Sequence, residues 1–104
     1  MGKLSRDKGA RFEREIVAIA RSHGLRAVKV PLSGATEFAK GDVIVGNSAG
    51  DWTIEAKKRG ASFKQLYAWL DADCDLLAIA ADRQPVLAVL PIEDFIDLLA
   101  GRHT

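Results

Sequence analysis

Two short apolar runs flanking a stretch of turn formers limit what this chain can fold into more than any other feature. Val43-Ile44-Val45 and Trp52-Thr53-Ile54 are separated by Gly46-Asn47-Ser48-Ala49-Gly50-Asp51. Strand-length runs around such a loop predict a β-hairpin. Closure about the 48/49 bond makes paired positions sum to 97, which sets Asp42 opposite Glu55. Opposed residues of an antiparallel pair share a face, with Cβ atoms roughly 4.5–5.5 Å apart. Alternation returns Lys57 to that face and sends Trp52, Ile54 and Ala56 to the other, where they can pack into a core. Two carboxylates so close repel, and a shared proton or a bound cation relieves the repulsion. Two carboxylates and an ammonium on one polar face are the parts of a metal-dependent hydrolytic site. By themselves the same three residues also suit a solvated strand face with a cross-strand Lys–carboxylate pair.

The bulk numbers leave room for one domain with a single modest core. The chain has 104 residues, 48% hydrophobic and 28% charged, a globular balance. No apolar run approaches the length of a membrane span, and no apolar segment follows the basic N-terminus as a secretory signal would require. Cys74 is the single cysteine, which excludes an internal disulfide and suits a reducing cytoplasm. With only His23 and His103 beside it, a zinc site of Cys/His type is not expected. The net charge of +1 conceals a division. Residues 1–64 carry 13 Lys/Arg against 7 Asp/Glu, and residues 65–104 carry 2 against 7. Such asymmetry suits one face made for a polyanion and another turned away from it.

Along the chain, residues 1–6 read as a loose arm and residues 7–104 as the single domain. Residues 7–23 predict a helix, with Asp7 as N-cap and Gly24 just past its end. Phe12, Ile16, Val17, Ile19 and Ala20 form its apolar stripe, and Glu13 falls inside that stripe between Ala20 and Val17. A charge on a buried face needs a partner. Residues 25–32 read as a strand ending at Pro31, followed by a small, polar loop, 33–41, that borders Asp42. Ser62-Phe63-Lys64-Gln65 fits a capping box for a helix over 62–73, packing through Phe63, Leu66, Tyr67 and Leu70, with Trp69 off the stripe. Residues 76–81 and 86–90 read as strands whose continuous apolar character predicts cover on both faces. Pro91 opens a last helix, with Glu93 and Asp94 in its first turn and Ile92, Phe95, Leu98 and Leu99 apolar. The sum is a mixed α/β fold, helices covering a central sheet.

Phosphodiester hydrolysis needs an activated water, neutralised charge on phosphorus and a stabilised leaving oxygen. A Mg²⁺ ion held by carboxylates, with positions left open, can supply all three. Asp42 and Glu55 are the candidate ligands, with the Ala56 backbone carbonyl as a further one. Lys57 is placed to orient the attacking water or to neutralise the phosphate. Glu13 would complete the carboxylate shell directly or through water.

The pattern of Asp42 followed by Glu55-Ala56-Lys57 on the next strand resembles the PD-(D/E)xK nuclease superfamily. The opening helix carries Lys8-Gly9-Ala10-Arg11-Phe12-Glu13-Arg14-Glu15, and a basic strand with a Ser-Gly loop follows, Val28-Lys29-Val30-Pro31-Leu32-Ser33-Gly34. In that order these segments resemble the archaeal-type Holliday junction resolvases and their phage-borne relatives, over about residues 8–80. The resemblance implies a restriction-endonuclease-like fold, a mixed central sheet flanked by helices. It implies an endodeoxyribonuclease dependent on Mg²⁺, with Mn²⁺ as substitute, that resolves four-way DNA junctions by paired cleavage as a homodimer. Glu13, Asp42, Glu55 and Lys57 match the catalytic positions. Arg14 and Lys29 match basic positions for DNA contact or catalysis, Ser33 a serine beside the site, and Lys8 and Gly9 the start of the DNA-facing helix. Arg11, Lys40, Lys58 and Arg59 extend the DNA surface of the basic half, and Trp69 is a candidate dimer contact. Gly41 stands where the superfamily name has proline, and Lys29 stands where arginine is usual, which removes a bidentate fork for phosphate. Other readings are a nickase, restriction-type or repair nuclease of the same fold, or a DNA-binding module without catalysis.

Overall fold

In the computed structural model, residues 2–30, 42–71 and 73–101 are described, residues 2–7 as backbone alone. Helix α1 (Gly2–Ser22) opens before the expected Asp7 cap, so the proposed loose arm is, from Gly2 onward, the first turns of the helix. Lys3, Leu4 and Arg6 are good helix formers, and no proline stops them. The other end lies where the sequence puts it. Gly24 has φ 84°, its N–H donates to the Arg21 carbonyl at 3.0 Å, and the Leu25 N–H donates to the Ala20 carbonyl at 3.1 Å. This is a Schellman closure, and glycine takes its left-handed position without a Cβ penalty.

Three strands follow: β1 (Arg26–Lys29), β2 (Val43–Asn47) and β3 (Gly50–Ile54), antiparallel in the order β1-β2-β3. The β2–β3 pairs run from Val43 with Ile54 to Asn47 with Gly50, each summing to 97 as the turn predicts. Asn47 builds that turn. Its Oδ1 accepts from the N–H groups of Ala49 at 2.8 Å and Gly50 at 3.1 Å. Arg26 reaches over the hairpin, donating to the Asn47 carbonyl at 2.7 Å and pairing with Asp51 at 3.0 Å. Beneath them a Cβ on Gly46 would meet the Asp51 carboxylate and the Arg26 guanidinium, so a larger residue there must displace that exposed pair.

The core lies between α1 and the α1-facing side of this sheet. Ile16, Val17 and Ala20 of α1 are buried, as are Ala27, Val43 and Val45 of the strands. Val45 opposes both Ala27 and Trp52, so Trp52 is on the core face as expected. It nevertheless stays half exposed, at 51%, because β3 is the edge strand of this sheet and α1 packs on β1 and β2.

The described residues divide into two compact units, Met1–Lys58 with Ile96–Thr104, and Arg59–Phe95. The second unit carries α2 (Lys64–Trp69) and a two-stranded antiparallel sheet of β4 (Leu77–Ile79) and β5 (Leu87–Val89). The expected capping box does not form. Phe63 is the N-cap, with no side-chain cap bond, and the entry is a backbone turn with Lys64 N–H on the Ala61 carbonyl and Leu66 N–H on the Phe63 carbonyl. The helix stops at Leu70, ahead of an Asx turn in which Asp71 Oδ1 accepts the Asp73 N–H. Tyr67, expected on the packing stripe, is exposed, and so is Trp69. Strands β4 and β5 are not covered on both faces. Their residues are exposed or half-buried, and Val86 and Leu87 are exposed.

Helix α3 (Ile92–Leu99) begins after Pro91, with Glu93 and Asp94 in its first turn. Its fully buried residue is Ile96, not one of the four expected, and Leu98 is exposed. In the first unit, His23 Nε2 meets Asp97 Oδ1 at 3.1 Å, and Asn47 Nδ2 donates to the Leu99 carbonyl at 3.1 Å. His23 is thus structural, as its sequence context implies.

Candidate active site

Asp42 is held by its position just before the middle strand. Its N–H donates to the Ile54 carbonyl at 2.8 Å, and its carbonyl accepts from Val30 N–H at 2.9 Å. Its carboxylate Oδ2 accepts the Ala56 N–H at 2.9 Å. Main chain and side chain are therefore fixed to segments on both sides, and the half-buried carboxylate lies against the Glu55–Ala56 peptide. A site held by strand hydrogen bonds keeps its geometry better than one on a free loop.

Glu55 and Lys57 face each other two residues apart, with Oε2 and Nζ separated by 3.2 Å. Both side chains are more than half exposed. Such a pair contributes about 0–1 kcal/mol to stability, so its value lies elsewhere. Glu13 behaves as a carboxylate within an apolar stripe must. It is mostly buried and its Oε1 lies 3.5 Å from Nζ of Lys29, at the end of β1 opposite Val43.

The sequence-derived carboxylates thus arrive in two sets, Glu13 with Lys29, and Asp42 with the strand end bearing Glu55 and Lys57. Among the described residues, no three acidic, histidine or cysteine side chains converge closely enough to hold a metal ion. Physically, three bare carboxylates at one spot repel, and here two of them are compensated by lysines. The donor chemistry fits a hard divalent cation. Asp42, Glu55 and the Ala56 carbonyl offer oxygen alone, with no thiolate or imidazole among them.

The cations expected to meet DNA are distributed around these groups. Lys8, Arg11 and Arg14 are exposed on α1, and Gly9 beside them has open space at its Cα. The Lys58 ammonium lies 5.5 Å from the centre of the Phe12 ring, which ties it to the same helix. Arg59 is exposed. Ser33 and Lys40 lie outside the described residues. Arg21 was absent from the sequence-derived set, yet it lines a groove with Arg14 and Lys29. The signal was present, since positions 14, 18 and 21 share one helix face.

The profile of the archaeal Holliday junction resolvase (Hjc) family matches residues 4–69, more than half of the chain: α1 from its third residue on, the three-stranded sheet and α2. The chain belongs to that family. Its mixed α/β architecture is consistent with the restriction-endonuclease-like fold of Hjc proteins. A curated relative, "Crossover junction endodeoxyribonuclease Hjc" of Archaeoglobus fulgidus, is 35% identical over 68 residues, covering 65% of this chain. The chain spans about half of that relative's length, 47%. No solved structure matches the chain. Glu13, Lys29, Asp42, Glu55 and Lys57 all lie within the part that the Hjc family profile covers.

Proposed function

We propose that this Hjc-family chain is a metal-dependent endodeoxyribonuclease that cuts four-way DNA junctions. One observation carries the reading: Asp42 is fixed against the Glu55–Ala56 peptide, two residues before the Lys57 ammonium. Asp42, Glu55 and the Ala56 carbonyl would hold Mg²⁺, while Glu13 stays paired with Lys29. The ion supplies Lewis acidity toward the phosphate and a more acidic water. Lys57, already beside Glu55, orients the nucleophile or neutralises the phosphate. Lys29 compensates Glu13 within the apolar stripe and offers the rest of its charge to the DNA backbone.

The partners in this reading are branched DNA and a second copy of the chain. Symmetric cleavage of a four-way junction takes two active sites on opposite strands, and a two-fold homodimer provides them. Trp69 and the exposed apolar residues of the second unit, among them Val86 and Leu87, are the proposed contact surface. Both units then belong to one nuclease domain. A cytoplasmic location suits the lone free cysteine, Cys74.

The test is a panel of a synthetic four-way junction, a linear duplex and a Y-fork, each with and without Mg²⁺, with nicks mapped at nucleotide resolution. Paired nicks confined to the junction and dependent on Mg²⁺ are expected. Equal cutting of the linear duplex would remove the junction assignment while leaving the nuclease one.

A further inference from the structure

One groove, which shares Lys29 with the Glu13–Lys29 pair, has the chemistry of a ligand subsite. It holds about 470 Å³ and is lined by Arg14, Val17, Ala18, Arg21 and Lys29. Val17 is buried and provides an apolar wall, while Arg14, Ala18 and Arg21 are exposed. Positions 14, 18 and 21 stack on one helix face, and the small Ala18 leaves the gap between the two arginines open. Three cations therefore face one opening.

Their hydrogen bonding shows which ligand they suit. Arg21 Nε donates to the Ala27 carbonyl at 3.0 Å, which anchors the guanidinium and leaves its terminal nitrogens for another acceptor. Among the described residues, neither Arg14 nor Arg21 pairs with a carboxylate. Lys29 shares its charge with Glu13, and its side chain is 35% exposed. Guanidinium groups in this condition favour phosphate oxygens, which they can bind through two parallel N–H donors. Seven helical residues put the two arginines about 10.5 Å apart along the axis. A DNA strand presents a phosphate about every 3.4 Å of its axis, so one strand can meet both.

We infer that the groove between α1 and β1 is a second backbone subsite, where Arg14, Arg21 and Lys29 hold phosphates spaced along the strand running away from the carboxylate site. This rests on the proposed nuclease reading. It adds Arg21 as a DNA-binding residue and Ala18 as the gap that admits the strand. The subsite reads no bases, so it serves junction and duplex alike.

The experiment measures binding of a four-way junction and a linear duplex across a salt series, in EDTA so that no strand is cut. Two variants are compared with the wild-type chain. Arg21→Gln removes one cation. Ala18→Glu puts a carboxylate between the arginines without touching the Arg21–Ala27 bond. Each lost phosphate contact should lower the slope of log K against log salt by about 0.9 and weaken binding about three- to tenfold at moderate salt, on both DNAs. Thermal unfolding identifies a variant that fails to fold; should Arg21→Gln do so, Ala18→Glu alone decides. Wild-type slopes in the folded variants would overturn the groove while leaving the nuclease reading intact. A wild-type chain that binds neither DNA would overturn both.

Discussion

The two units of this chain use their apolar residues in opposite ways. Every buried apolar residue among the described ones, from Ile16 to Ile96, belongs to the unit built on α1 and the three-stranded sheet. Among its described residues, the unit of residues 59–95 buries none fully, and Tyr67, Trp69, Leu76, Val86 and Leu87 are exposed. The first unit also carries the carboxylates and lysines of the candidate site. A rigid core beneath a charged edge is what positioned chemistry requires, whereas an apolar surface left outside is what association requires.

The comparison breaks most easily on stability. Ile96→Ala should cost about 2–5 kcal/mol, the range for emptying a packed site, whereas Leu87→Ala should cost less than about 0.5 kcal/mol. Urea unfolding of both variants measures the difference, and equal losses would contradict the division. The second expected effect is on association. Trp69→Ala combined with Leu87→Ser should turn the proposed dimer into a monomer by light scattering, with little change in the unfolding of each chain. A persistent dimer would move the interface elsewhere. The smallest effect sharpens the first unit alone. Gly46→Ala should push aside the exposed Arg26–Asp51 pair at a cost of about 1 kcal/mol or less, since the side-chain ends it meets can swing away. A melting curve shifted by several times that amount would mean that the hairpin backbone itself has moved.

What was legible in the sequence is what local chemistry decides. The hairpin register followed from Asn47 and its neighbours, whose side-chain and backbone bonds close the turn. The end of α1 followed from Gly24, and Glu13 was marked by its place in an apolar stripe. Less legible was whatever depends on non-local cover. Trp52 was assigned to the right face, but an edge strand leaves it half exposed. Ile96 was passed over because a short apolar helix offers several faces, and packing within the first unit, to which Ile96 belongs, selects one. At Ser62 no capping box formed, and the helix starts instead from a backbone turn at Phe63. In the candidate site, the hairpin set Asp42 beside Glu55 and Ala56, while the Glu13–Lys29 pair needed the packing of a helix on a strand.

The account stands on Asp42 as the fixed carboxylate of a metal-dependent site. Its most direct measurement is cleavage of a four-way junction by Asp42→Asn, an isosteric change that removes the charge, alongside junction affinity in EDTA. The prediction is affinity near that of the wild type with no cleavage at any Mg²⁺ concentration. Wild-type cleavage by the asparagine variant would contradict it.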